Sequence, residues 1–436
     1  MKRFLHIHVN YIRKQHKNMN RILVTALIFC AALRIGAQSP LGLTYPLGVP
    51  DLAVSGASAA LGSGGTAAIE QYMGASLNPA NAAVGNRSVF SALISYDIVS
   101  VYDDGATDDI SGYVPKYISL IVPIGQAGNL SFSMQKRYDA NLNFQTTKED
   151  VGATTTHTYI TEIRRTGGLS SWQAGWAYRF GNGFGIGLIY ERLFFNLETH
   201  NVSASVLTFG DDTYMTRISD SVVVAFASNG LRFGAQIPVN DKVTLGLTGE
   251  YLFPGNKNGS EIGGYYLDLD TADGDGYKKK LSVTLPPSMT IGAAYRPDDH
   301  WLFVADARTV LWDSYEKSYD DPDTKPETEF GISVGARYIP AANVLSSKYW
   351  EKINYGVGIR YATLPNNRED DRAHEYAFSA GAGLPIHRDG GMVDIVVSYS
   401  RRSDPKYSNY EENIVKLQLG LNGGRNWFQR DTSKDY

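Results

Sequence analysis

The chain has 436 residues, with 41 Lys+Arg against 45 Asp+Glu, 28 Tyr, 44 Gly and a single Cys, enough for one large barrel or for about two to three ordinary domains. Residues 1–37 hold seven of the basic residues and no acidic one, so the remainder carries 34 − 45 = −11; a nucleic-acid partner is argued against, because phosphate neutralisation needs a basic face. The lone Cys30 lies in that first segment, which leaves the rest without a disulfide framework or a Cys-ligated metal site.

From Met19 the chain reads as an address. Arg21 supplies positive charge, Ile22 to Leu33 is an apolar run, and Ile35-Gly36-Ala37 offers small residues before Gln38. This is the order of a secretory signal, and the run is too short for a membrane-spanning helix, which needs about 20 residues. Residues 1–37 are therefore expected to be a signal peptide, with Met19 as the alternative start. Residues 38–85, rich in Gly, Ala and Ser, do not alternate like strands; small residues pack in a confined space, and the segment is expected to fold inside a lumen.

Residues 86–422 have a period of two. Val415, Leu417, Leu419 and Leu421 alternate with Lys416, Gln418, Gly420 and Asn422, and Val243, Leu245 and Leu247 alternate with Thr244, Gly246 and Thr248. Such alternation predicts strands with one apolar and one polar face. Short turns near 125–128, 181–183, 239–241, 296–299, 339–348 and 387–391 alternate with long polar segments near 102–116, 139–168, 195–219, 254–287, 313–328, 364–373 and 402–411. This predicts an all-β, transmembrane antiparallel β-barrel of about 14 strands, with short periplasmic turns and long external loops. Tyr96, Tyr117, Tyr138, Tyr178, Tyr190, Tyr251, Tyr295, Trp301, Trp312, Tyr361, Tyr399 and Trp427 fall near strand ends and are expected to form aromatic girdles. Residues 423–436 read as a periplasmic tail.

Two stretches carry a family resemblance. Gly62 to Ser91 contains Leu77-Asn78-Pro79-Ala80 shortly before the first strand, and Leu285-Pro286-Pro287 is followed by Gly292, Tyr295, Pro297, Trp301, Asp306 and Trp312. The chain thus resembles FadL-type outer-membrane transport proteins, including the TodX-like members, in its hatch, first strand and a Leu-Pro strand opening. The resemblance implies capture of a hydrophobic small molecule such as a long-chain fatty acid or hydrocarbon, entry into a lumen closed by the hatch, and sideways exit. It implies hatch residues Asn78, Pro79 and Ala80, with Gly64 and Gly74 as hinges. The chain's end also resembles the PorV-like subgroup, which implies a protein-interaction or secretion-system role as the alternative. Partners implied are the hydrophobic ligand, outer-membrane lipid, the barrel-assembly machinery and secretion-system proteins.

For a ligand head group the inward candidates are Arg360, Asp306 and Arg308, with mutual ion pairing as the competing use. Asp268, Asp270, Asp273 and Asp275 crowd one loop but lack the EF-hand spacing and closing Glu, and read as a solvated acidic loop. His157, His200, His300, His374 and His387 are isolated, with no His-Glu-x-x-His or Gly-x-Ser-x-Gly motif. No enzyme activity, cofactor or metal is expected.

Overall fold

The computed structural model describes residues 45–425, except 104–105, 153–154, 210–211, 256–257, 269–275, 319–325, 343–347, 366–371, 388–390 and 404–410. The expected signal segment 1–37, most of the acidic loop, Trp427 and the tail beyond Arg425 lie outside the described residues.

Fourteen strands close into one antiparallel ring. In chain order they are β1 (Ser88–Asp103), β2 (Ala106–Pro123), β3 (Asn129–Asp139), β4 (Thr155–Arg179), β5 (Gly185–Phe209), β6 (Asp212–Pro238) and β7 (Val243–Leu252). They continue as β8 (Ser288–Tyr295), β9 (Trp301–Val310), β10 (Glu329–Tyr338), β11 (Asn354–Thr363), β12 (His374–His387), β13 (Gly391–Ser403) and β14 (Glu411–Arg425). Each pairs with its neighbour in sequence, and β14 closes on β1 with Ser88 opposite Arg425 and Tyr102 opposite Glu411. Closure of the ring pairs each of the fourteen strands with a neighbour on both sides, which is what a sheet needs in lipid.

The distribution of polarity is inverted relative to a water-soluble fold. On β14, Leu417, Leu419 and Leu421 are 51, 41 and 46% exposed while Gln418 and Asn422 are 4 and 6% exposed. Ile359 and Val357 on β11, and Phe303 on β9, are likewise exposed. An apolar outer band and a polar interior suit a barrel whose outer solvent is hydrocarbon. No described helix is long and apolar enough to cross a membrane.

All six expected short turns separate barrel strands. Several expected long loops are instead strand. β5 and β6 remain paired as far as Phe209 opposite Asp212, so the described residues of 195–219 form a ladder continuous with the wall. Leu142–Val151 pairs with the start of β4, and Gly259–Asp268 pairs with the start of β6 and with Gly276–Leu281. Beyond the membrane both faces of a sheet meet water, so the backbone ladder persists where the apolar alternation that marks a strand has ended.

The aromatic expectation needs correction at three positions. Tyr190, Tyr251, Tyr295, Trp301 and Tyr399 are exposed on the outer face, but Tyr117, Tyr138 and Trp312 are buried. Tyr117 and Tyr138 each follow a skipped residue in the ladder, Lys116 and Arg137, and a one-residue bulge changes which face the following side chain takes. Trp312 lies past the end of β9 in a short 3-10 turn (Trp312–Ser314) and packs edge-on to Tyr138.

Candidate functional site

Residues 45–87 pack against the polar inner face, and glycines make the seat. Gly187 and Gly234 face each other across β5 and β6. A Cβ on Gly187 would stand 2.4 Å from the Pro79 carbonyl carbon, and one on Gly234 would stand 2.1 Å from Asn78 Oδ1. Gly246 and Gly292, paired across β7 and β8, lie under Thr66 and Ala67. Gly335 and Gly358, paired across β10 and β11, lie under Leu61 and Gly62. Glycine in a strand interior commonly marks close approach of another backbone.

Asn78 is fully buried. Its Oδ1 accepts from the Ala80 amide at 3.0 Å, capping a 3-10 turn (Pro79–Ala83), while its Nδ2 donates to Thr66 O at 2.8 Å and to Ala235 O at 3.1 Å. One side chain therefore ends a loop, starts a turn and ties both to β6. Proline suits the first position of the turn, where its missing N–H is not needed. Ala80 is also fully buried, and its carbonyl accepts from Arg179 at 3.4 Å. Gly74 has φ +86°, a region that favours glycine. Gly64 is a close-approach residue: a Cβ there would lie 2.7 Å from Ser333 Oγ.

The interior is crossed by buried ion pairs. Arg137 donates to Glu250 Oε2 at 2.7 Å, and Arg232 meets Glu191 at 2.8 Å. Arg232 also donates to Ser76 O, joining this network to the segment. Arg308 meets Glu329 at 2.7 Å; Arg360 meets Glu375 at 2.8 Å, and Glu375 also meets Arg402 at 2.6 Å. Asp306 accepts from the Gly65 and Thr66 amides at 2.8 and 2.9 Å. The three residues expected at a ligand head group do converge on one cavity of about 90 Å³. There, Arg308 and Arg360 face carboxylates and Asp306 holds the segment's backbone.

Glu70 forms a further tie. It takes two hydrogen bonds from Arg337, at 2.7 and 3.0 Å, and one from Arg296. Burial alone would raise its carboxyl, but the guanidinium groups of Arg337 and Arg296 hold it below the usual carboxylate range.

The wall parts between β2 and β3. Their ladder runs from Pro123–Asn129 to Tyr117–Gln135, whereas β2 continues alongside β1 to Ala106 and β3 continues alongside β4 to Asp139. Both strands bulge where they separate, at Lys116 and Arg137. Lys116 meets Asp51 at 2.6 Å and Asp97 at 3.3 Å. The freed side of β3 is taken by the amino-terminal segment: Val49 lies opposite Asp139, Pro50 opposite Tyr138, and the Asp51 amide donates to Arg137 O at 2.8 Å. Tyr113, four residues beyond Tyr117 on β2, is an exposed aromatic. The split therefore begins below that aromatic, within the apolar band.

The family model described as BamG matches residues 19–433. The chain belongs to the BamG family. Solved structures with a similar fold include a Pseudomonas aeruginosa FadL homologue (TM-score 0.57, 14% identity, 86% of this chain and 98% of that one). A CymD monoaromatic hydrocarbon channel gives TM-score 0.57 at 13% identity, covering 87% of this chain and 99% of that one. The Ralstonia pickettii toluene transporter TbuX gives TM-score 0.56 at 14% identity, covering 85% and 98%. No curated protein matches in sequence. This BamG-family chain thus has the FadL-like fold expected from its motifs.

The sequence reading missed the acidic partners Glu191, Glu250, Glu329 and Glu375, the Lys116–Asp51 ion pair at the split, and Glu70. Each is one charged residue among several in its stretch of sequence, and its partner lies on a different element. A signal was present for the seat: glycines recur on the polar side of the alternating strands, at Gly246, Gly292, Gly358 and Gly420.

Proposed function

We propose that this protein passes hydrophobic small molecules across the outer membrane, with residues 45–87 as the hatch and the β2–β3 split as the lateral exit. The observation that carries the reading is the split itself, closed by Val49–Asp51 rather than by a barrel strand. An apolar solute gains nothing from release into water, and an exit inside the apolar band avoids that step. Asn78, Pro79 and Ala80 seat the hatch, and the turn at Gly74 and the tight contact at Gly64 are where it flexes. Arg308, Arg360 and Asp306 become ligand contacts when the hatch shifts and exchanges their present partners. The similar fold of hydrocarbon and toluene channels supports this reading, which includes no chemical reaction.

A second reading, a partner of the outer-membrane barrel-assembly machinery, is favoured by the BamG family designation and by the layers of ion pairs that fill the lumen. Native mass spectrometry of the detergent-purified protein separates the two. A stoichiometric fatty acid or hydrocarbon, displaced by added oleate or toluene, supports transport. A barrel without such a ligand that instead retains another envelope protein supports the assembly role and rejects the conduit.

A further inference from the structure

A second cavity, of about 250 Å³, lies between the short helix α1 (Gly56–Ala60) and strands β11 to β13, at the end of the barrel that carries the short turns. Its floor is made of small and apolar side chains, among them Ala57, Ala60, Gly381 and Val396, and Tyr72 and Asp394 supply polar edges. Asp394 is 3% exposed. Its Oδ2 accepts from Asn422 Nδ2 at 2.7 Å, and its Oδ1 points toward Gly383, where a Cβ would stand 2.8 Å away.

Asp394 differs from the other buried carboxylates. Asp97, Glu191, Glu250, Glu329, Glu375 and Glu412 each have a Lys or Arg within 4 Å, and Asp306 has two backbone amides. Among the described residues Asp394 has one neutral amide donor and no cation. On the same cavity wall Arg337 and Arg296 are both engaged with Glu70, and neither is ion-paired with Asp394, so the Asp394 carboxyl has no direct cationic partner. A buried anion without a counter-charge is costly, and a cationic ligand removes that cost.

We infer that the cavity under α1 is a binding site for a small amine: an ammonium group against Asp394 and a compact apolar body over the Gly and Ala floor. This site faces the periplasm and is separate from the β2–β3 exit, so it stands whether or not that exit carries hydrocarbons. Its ligand is a water-accessible cation rather than a neutral apolar solute.

The test is calorimetric titration of the full mature protein in detergent with 2-phenylethylamine and with its neutral isostere 2-phenylethanol. The expected result is one amine per barrel, the alcohol at least tenfold weaker, and Asp394→Asn at least tenfold weaker for the amine. No cysteine lies beyond Cys30, so Ala57→Cys in a chain beginning at Gln38 gives a single maleimide target inside the cavity, and the amine should slow its labelling at least threefold. The wild-type comparison needs no variant and stands if Asp394→Asn fails to assemble. Equal affinity for amine and alcohol, no amine binding, undiminished binding by Asp394→Asn, or an unchanged labelling rate would each overturn the assignment.

Discussion

Replacing Gly234 by Ala tests the glycine seat at its tightest point. The new methyl would stand 2.1 Å from Asn78 Oδ1 and 2.5 Å from Pro79 Cδ, and neither atom is the end of a flexible chain, since Asn78 is held by three hydrogen bonds. Overpacking of this kind costs about 1–3 kcal/mol, and displacing Asn78 from Ala235 O adds about 1 kcal/mol. A combined ~3 kcal/mol would raise the population of the unseated segment about 100-fold, at 1.4 kcal/mol per tenfold. The ladder bonds of Gly234 to β5 and β7 are backbone bonds, so the barrel itself should persist. Hydrogen exchange at residues 62–82 reads the segment, and heat-modified electrophoretic mobility reads the barrel. Gly423→Ala is the control, because a Cβ there meets nothing within 4 Å. If segment exchange in Gly234→Ala equals that in Gly423→Ala, the glycines do not seat the segment and the argument fails.

Four further outcomes follow from the same geometry. Lys116→Met leaves Asp51 and Asp97 buried without their shared cation and should destabilise the closure at the split by about 3–5 kcal/mol, seen as protease cleavage near residue 50 in an intact barrel. Asp306→Asn weakens the acceptor for the Gly65 and Thr66 amides, and hydrogen bonds to a charged group are worth about 1.5–3 kcal/mol; exchange of these two amides should rise while that of β9 does not. The Glu70 carboxyl is lowered in the fold, so its contribution is present above the ordinary carboxylate pKa and is lost as pH falls through the lowered value; acidification should loosen the segment, and Glu70→Gln should remove that pH response. Ile359→Lys places a charge on the outer apolar band and should cost about 2–4 kcal/mol near the bilayer midplane, measured as urea stability in liposomes, whereas an exposed position on a water-soluble sheet would show almost no change.

The barrel was legible because its wall obeys one rule along most of its length. Leu417, Leu419 and Leu421 against Gln418, Gly420 and Asn422 report a sheet with unlike faces, and the six short turns report how the strands connect. The pairing as far as Phe209 and Asp212 was not legible, because outside the membrane a ladder needs no apolar face. Tyr117 and Tyr138 were placed on the wrong face because a single bulge residue resets parity, although Pro115 beside Lys116 hinted at a bulge, since proline in a strand is confined to edges and bulges. Of the site, Asn78-Pro79-Ala80 stood out as a turn starter in context. Its partners did not: the Gly187–Gly234 seat and the Asp51–Lys116 tie join residues far apart in the chain, and one sequence carries no record of such pairing.

The account's central claim is that the β2–β3 split, closed by Val49–Asp51, is the way out. A disulfide between Val49→Cys and Asp139→Cys tests it, because opposed residues in an antiparallel pair have Cα atoms about 4.5–5.5 Å apart, within disulfide range, and no competing thiol lies beyond Cys30. The measurement is uptake of radiolabelled oleate and of toluene by cells whose only copy is the double variant, before and after reduction. The account predicts background uptake when oxidised and recovery on reduction; equal uptake in the two states, with the disulfide confirmed by mass, would contradict it.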